Sequence, residues 1–370
     1  ERITVPPVDL SLHTVLPLAD IHRQLSGKVI GPKAANLGEL NRLFPGRVAP
    51  AIAVPFGIYE MHLRANGLRD RINAAYAESA AGALSKDELD NTLAGIRADI
   101  TALRLSEQTS QQLADAMARE FGAPGSYGVF IRSDTNVEDL PQFTGAGLSE
   151  TLPHIVGFDS QLAGIPRVWA SVLSPRALAW RSSLLTNPEQ IYASVLVMKS
   201  VPSEKSGVLV TSNLTAPGQP GMTVSTAWGV GGAVAGEAAE GLVLLPDGST
   251  QLLFEAKTPW QRQLAARGGV DWVPAPSGRV LIASDIEQLR DLARDVVQKY
   301  EPVYDEFGRQ RPWDIEFGFV DGELTLFQIR PLVERNTQRA DLAIDRLRST
   351  DAAPAPLPAF VDLTTTGATP

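Results

Sequence analysis

The stretch Trp313-Asp-Ile-Glu-Phe-Gly-Phe-Val-Asp321-Gly322-Glu-Leu-Thr-Leu-Phe-Gln-Ile-Arg330 carries the strongest short hairpin signal in the chain. Two runs of alternating character flank Asp321-Gly322, a dipeptide that favours the left-handed conformations of a two-residue hairpin turn. Side chains reverse at every strand residue. Asp314, Glu316 and Gly318 therefore share one side of the first strand, and Gln328 and Arg330 one side of the second. If that face lines a cleft, an acid, an amide and a guanidinium converge there. Carboxylate and amide oxygens suit Mg²⁺, while the permanently charged, fork-shaped guanidinium suits phosphate oxygens. The competing reading is an edge hairpin whose polar residues are simply solvated.

Working upstream, a helix is expected at about 284–301, and from Ile191 the chain turns to β-branched runs separated by Pro, Gly and Asn turns: IYASVLVM, SGVLVTSN, MTVSTAW, GLVLLP and TQLLFEA. Residues 159–184, with Trp169 and Trp180, read as a helix. Tyr127-Gly-Val-Phe-Ile131 reads as a strand that empties into the polar run from Arg132 to Pro141 and then Phe143-Thr-Gly145-Ala-Gly147, a setting where ligand contacts concentrate. A local ion pair of Arg132 with Asp134, Glu138 or Asp139 is the plainer alternative. Residues 68–121 form a helical subdomain, since Leu89, Leu93, Ile96, Ile100 and Leu103 recur every three or four positions. Ala51–Gly57 is expected to be a buried strand, with a helix from Ile58. Gly31-Pro32-Lys33 delivers Lys33 to the start of a helix over 34–43, where free N–H groups favour anions; a surface lysine is the default there. Residues 1–26 read as an arm packed on the body, 336–348 as a closing helix, and the last Pro/Ala/Thr-rich stretch as a linker or tail.

Composition narrows the chemistry. The 370 residues are 44% hydrophobic and 20% charged, so the chain has ample material for real cores. A net charge of −9 offers no general basic field for nucleic acid or anionic membrane, and any polyanion must be held by local cations. With 0 Cys there are no disulfides, thiolate metal sites or cysteine nucleophiles, which fits a cytoplasmic location. The 4 His, at positions 13, 22, 62 and 154, form neither an H-x-x-x-H pair nor a nucleophilic triad. Around Lys33 the spacing is not that of a Walker loop, and Trp228-Gly-Val-Gly-Gly-Ala-Val-Ala-Gly236 does not fit G-x-G-x-x-G. No run of about 18 apolar residues occurs. The opening Glu1-Arg-Ile-Thr-Val-Pro-Pro7 lacks an initiating Met and the regions of a signal peptide, so the chain is expected to be a segment of something longer.

Four separated segments then stand out: Gly31-Pro-Lys33-Ala-Ala-Asn36-Leu-Gly38-Glu-Leu; Val129-Phe-Ile-Arg132-Ser133-Asp-Thr-Asn-Val-Glu138-Asp139-Leu with Gly145-Ala-Gly147; Ser206-Gly207-Val208 with Trp228-Gly-Val-Gly; and Asp314-Ile-Glu316 through Gln328-Ile-Arg330-Pro331. In this order they resemble the motifs of the ATP-grasp nucleotide-binding domain shared by phosphoenolpyruvate synthase, pyruvate phosphate dikinase, rifampin phosphotransferase and the glucan water dikinases. The resemblance implies an α+β, two-lobed ATP-grasp fold. It divides the chain into an arm (1–26), an N-terminal lobe with its helical subdomain (27–190), a C-terminal lobe (191–335) and a closing helix with tail (336–370). It also implies an ATP-dependent, dikinase-type phosphotransferase that uses ATP and Mg²⁺.

Carried over residue by residue, the resemblance puts Lys33, Arg132 and Arg330 on the nucleotide phosphates, Glu316 and Gln328 at Mg²⁺, and the Gly145 loop over the terminal phosphate. Residues near Val197 to Lys199 would supply an adenine hinge. Two departures are visible. Pro32 stands where the family has Gly, and Gly232 where an acid follows W-G-L-G, leaving Glu237 or Glu240 for the ribose contact. The family's phosphoryl-carrying His lies in a T-x-G-G-x-x-x-H-A setting that none of the four His has. The carrier is therefore expected on a separate domain or partner, and no acceptor, glucan included, is carried over. The alternatives are a degenerate nucleotide-binding regulatory module without transfer activity and a carbohydrate-binding or scaffold domain keeping only the fold.

Overall fold

The computed structural model describes residues 3–138, 150–175, 177–178, 184–232, 236, 239–305 and 307–332. The expected closing helix and tail, Gly145, Glu237 and Trp180 lie outside these residues.

The first sheet is antiparallel, in the order β1-β2-β5-β3-β4, with β1 Leu16–Pro17, β2 Ala51–Val54, β3 Gly128–Thr135, β4 Thr151–Val156 and β5 Ala193–Lys199. Both of its faces are covered, so its central strands are apolar on each side. On β5, Val195 and Val197 face one core while Leu196 and Met198 face another. The expected arm contributes β1 to the sheet edge and buries Leu18 and Ile21.

The first core lies between this sheet and helices α2 (Phe56–Ala65), α3 (Leu68–Ala80), α4 (Lys86–Thr101), α5 (Glu107–Phe121) and α6 (Phe158–Ala170). Leu89, Leu93, Ile96 and Ile100 are the buried stripe of α4, as their spacing required. Ser85 and Ser106 cap α4 and α5 by accepting from the amides of Glu88 and Thr109. The helix expected over 159–184 is interrupted, with helical backbone again at 175 and 177–178. After α6 comes a 3₁₀ turn, Ser171–Leu173, which gives way to extended backbone at Ser174 because Pro175 follows.

The second sheet, also antiparallel, runs β13-β12-β6-β7-β8-β9, with β6 Lys205–Val210, β7 Met222–Trp228, β8 Glu240–Leu244, β9 Thr250–Phe254, β12 Trp313–Val320 and β13 Glu323–Pro331. One face packs on α7 (Ala283–Lys299) and on α1 (Pro32–Leu43). Leu37 and Leu40 of α1 join Leu289, Leu292 and Val296 of α7, and Phe317, Leu326 and Ile329 of the sheet, in the second core. That core also takes in Leu196 and Met198 of the first sheet, so α1 sits where the two lobes meet. The Asp321-Gly322 turn has φ values of 51° and 77°, the left-handed pair expected of the dipeptide.

Two features differ from the sequence reading. The strand at 193–199, assigned to the second lobe from its β-branched onset, pairs with β2 and β3 and is the central strand of the first sheet; the chain crosses between sheets at residues 200–204. Composition marks a strand but not its partners. A separate antiparallel pair, β10 (Trp260–Leu264) and β11 (Val270–Pro274), was not anticipated, because its Gln, Arg, Asp and Trp residues leave much of it exposed rather than alternating in the usual way. Among the described residues, no helix is long and apolar enough to cross a membrane.

Candidate functional site: a cleft between two sheets

The hairpin presents the face that its alternation implied. Asp314 stands opposite Arg330 and Glu316 opposite Gln328. The register then slips between Glu316 and Phe317, so that Phe317 faces Leu326 and Phe327 is left as the extra residue of a bulge. The Phe327 ring turns toward the same cleft that Glu316 and Phe317 line. Arg330 Nε donates to Asp314 Oδ2 at 2.8 Å. Burial raises the Asp314 carboxyl above its ordinary range, against the opposing pull of Arg330.

Arg132 reaches the hairpin from the other sheet. Its Nη2 donates to Gln328 Oε1 at 2.8 Å and to Glu316 Oε2 at 3.2 Å. Of the local partners considered for Arg132, Asp134 and Glu138 are committed to α1, and Asp139 lies outside the described residues. Two oxygens from two strands thus converge on one positive nitrogen. Such a donor pair fits a hard cation that keeps waters and phosphate oxygens for its remaining positions, as Mg²⁺ does. No group of three or more His, Cys, Asp or Glu is placed to hold a metal among the described residues.

The cleft encloses about 330 Å³, within the range of small-molecule sites. Phe130, Met198, Val201, Phe317 and Phe327 give it apolar walls, and Arg132 and Glu316 give it charge. Met198 and Lys199, at the end of β5 and within the Val197-to-Lys199 segment assigned to the adenine hinge, line the cleft, and Val201 follows where the chain crosses between sheets. Lys199 Nζ itself donates to Phe121 O at 3.0 Å.

Lys33 stands in the first turn of α1, as expected, but the amides there are already taken. Asp134 Oδ1 accepts from the Lys33 amide at 3.0 Å, and Oδ2 from the Ala34 amide at 2.9 Å. The N-terminus of α1, expected to be open to an anion, is therefore filled by a carboxylate from β3, a partner 100 positions away that local sequence does not reveal. Burial, reinforced by Glu138, pushes the Asp134 carboxyl up to about 7 despite Lys33 and the two amides. Lys33 Nζ donates to Ser133 O at 2.9 Å and forms an ion pair with Glu138. Neither Lys33 nor Arg330 is brought into contact with Glu316 or Gln328 by the bonds described above. Pro32 occupies the first position of α1, where its fixed φ suits the helix and its missing N–H leaves no partner wanting.

The glycine loop after β7 is held from β6. Ser206 Oγ donates to Gly229 O and accepts from the Gly231 amide, both at 2.7 Å. Gly229 has φ +78°, and a Cβ there would lie 2.2 Å from Arg262 O. The Val230 amide donates to that same oxygen at 2.9 Å, which binds β10 to the loop. At the other end of the β10–β11 ribbon, the Gly269 amide donates to His154 O on β4 at 2.8 Å. The ribbon thus spans from one sheet to the other and adds Arg262 and Val270 to the cleft wall. His154 is a packed histidine, with burial lowering its pKa. Glu240, one of the two acids offered for the ribose contact, is buried and accepts from Arg279 Nε and from the Val280 and Leu281 amides at 3.3 and 3.2 Å. Sequence reading also missed Lys205, whose ammonium pairs with the buried Asp285 at the start of α7.

Comparison with known proteins identifies the family. Residues 27–351 match the family described as the pyruvate phosphate dikinase AMP/ATP-binding domain. A probable phosphoenolpyruvate synthase of Methanothermobacter thermautotrophicus is 27% identical over 314 residues, 82% of this chain and 44% of that protein. The phosphoenolpyruvate synthase of Pyrococcus furiosus is 29% identical over 269 residues, 67% of this chain and 31% of that protein. The rifampicin phosphotransferase of Bacillus subtilis is 28% identical over 225 residues, 60% of this chain and 25% of that protein. The chain spans less than half the length of these relatives. With two lobes joined across a cleft and the matched region covering most of its length, the chain is an α+β ATP-grasp domain and belongs to the pyruvate phosphate dikinase AMP/ATP-binding domain family.

Proposed function

We propose that this chain binds Mg-ATP in the cleft and passes a phosphoryl group to a carrier histidine on a separate domain or partner, as a dikinase-type phosphotransferase. The observation that carries the reading is the convergence of Glu316, Gln328 and Arg132 across two sheets. Phosphoryl transfer asks for alignment and charge neutralisation more than for covalent help from the protein. Arg132 and Arg330 supply fixed, bidentate-capable charge, and Lys33 a compact one. Mg²⁺, held by Glu316 and Gln328 oxygens, would neutralise the phosphate oxygens. The apolar walls from Phe130, Met198, Val201 and Phe327 would take the base and keep water from the reacting end. Gly145 and Glu237 keep the roles the resemblance gives them, over the terminal phosphate and at the ribose. Of the two departures that motivate a non-transferring module, Pro32 loses its force, because it sits where a helix accepts proline without strain.

Calorimetric titration with ATP, with and without Mg²⁺, tests the reading. Mg²⁺-dependent binding that Lys33→Ala and Glu316→Ala each weaken is the expected result. An intact chain that binds no nucleotide would overturn it. Tight binding without transfer, with a carrier domain supplied, would favour the regulatory module.

A further inference from the structure

Asp134 is fully buried, yet nothing in the proposed chemistry uses it. Both of its carboxylate oxygens are spent on the first amides of α1, those of Lys33 and Ala34, at 3.0 and 2.9 Å. The fit is close. A Cβ on Gly31 would come within 2.1 Å of Asp134 Oδ1, so the helix cap and the carboxylate occupy adjoining space with none to spare. A second strand, β5, completes the joint: the Gly31 amide donates to Ser194 Oγ at 2.9 Å, and Ser194 Oγ donates to Asp134 O at 3.0 Å. Asp134 and Ser194 are register partners on β3 and β5.

Arg132 lies two residues before Asp134 on β3, so the two side chains leave the same face of the strand. One strand therefore carries a cation for the cleft and, one pleat further on, the carboxylate that fixes the helix bearing the second cation. Because the helix N-terminus is already filled, a bound anion would have to be met by the Lys33 side chain and not by the α1 amides. The Lys33 ammonium stands between Ser133 O and Glu138, both within a few residues of Asp134 on the chain.

From this geometry we propose that Asp134 is a positioning residue: by clamping the first turn of α1 to β3 it sets where the Lys33 ammonium stands relative to the Arg132 guanidinium. The proposal deepens the nucleotide-binding reading and rests on it for its purpose, but the positioning can be measured without nucleotide.

The test compares the whole chain with Asp134→Asn and Gly31→Ala. The first replaces one acceptor oxygen by a donor facing an amide. The second displaces the carboxylate sterically and leaves its charge intact. Amine acetylation with mass-spectrometric readout reports Lys33 accessibility, with the more exposed Lys299 as internal reference. Both variants are expected to label severalfold faster at Lys33 with Lys299 unchanged, and to bind Mg-ATP about tenfold more weakly, the size of a lost hydrogen bond to a charged acceptor. Unchanged Lys33 labelling in both variants would overturn the proposal, even if their ATP affinity fell, since the loss would then arise elsewhere. Faster labelling with wild-type ATP affinity would equally overturn a role at the nucleotide. A parent chain that binds no ATP would defeat the functional reading separately, and the labelling arm would still decide whether Asp134 holds Lys33.

Discussion

Replacing Gly229 by Ala should cost the fold about 1.5–3.5 kcal/mol and loosen one wall of the cleft. Two contributions set this magnitude. At φ +78° a β-carbon costs about 1–2 kcal/mol in the left-handed region. The same carbon would stand 2.2 Å from Arg262 O, so β10 must retreat and the Val230 bond to that oxygen is lost, about 0.5–1.5 kcal/mol more. Gly248, in the turn between β8 and β9, is the control: its φ is +88° with nothing within 4 Å, so Gly248→Ala should cost the conformational part alone. Equilibrium urea unfolding of the three proteins gives the comparison, and Mg-ATP titration shows whether the cleft follows the ribbon. Equal losses in the two variants would refute the close-approach argument. So would a Gly229→Ala protein as stable as the parent.

Three further outcomes follow from buried charge. Lys205→Met should lower stability by about 3–5 kcal/mol, because Asp285, 1% exposed, would keep only the Ile282 amide for its charge; urea unfolding showing under about 1 kcal/mol of loss would contradict this. His62 must stay neutral, since its Nδ1 donates to Ile58 O and its Nε2 accepts from the Ser106 amide, and burial lowers its pKa below the ordinary value. Its contribution is therefore present above about pH 6.5 and lost as pH falls through the lowered value, which imidazole NMR titration beside acid unfolding would show. Asp134 has the opposite sign. With its carboxyl raised to about 7, its contribution is greatest below about pH 4 and declines as pH rises toward 7; Asp134→Asn should remove that slope from a series of urea midpoints.

How much of this was legible depends on where each residue's partner lies. The 313–330 hairpin announced its turn, its faces and its polar set because all three are consequences of alternation within a few residues. The bulge at Phe327 was not legible, since the slip is a choice of pairing that leaves no mark on a run of apolar and polar letters. β5 was recognised as a strand and misplaced as a lobe member for the same reason: its neighbours β2 and β3 are far off in sequence. The ribbon at 260–274 escaped because its stabilising contacts are a glycine loop and a backbone carbonyl on β4, not a buried face of its own. The acids near Arg132 were visible, but their destination was not. Arg132 passes over them to Glu316 and Gln328, while Asp134 and Glu138 turn to α1.

That last exchange bears on how the site would work. Each cation assigned to phosphate already has an acid: Lys33 has Glu138, Arg132 has Glu316, and Arg330 has Asp314. Partly buried pairs of this kind gain little net stability, because each charge gives up water to meet the other. A nucleotide entering the cleft would therefore exchange partners and not simply neutralise bare charge. If Arg132 turned from Glu316 and Gln328 to a phosphate oxygen, the two oxygens it released would suit a divalent cation, so anion and metal would be taken up in the same rearrangement. Binding of either without the other would leave a charge buried and unmatched, which costs more than the pair it replaced. On the proposed reading, a linkage between nucleotide and metal would follow from these ion pairs, whatever the association of Mg²⁺ with ATP in solution.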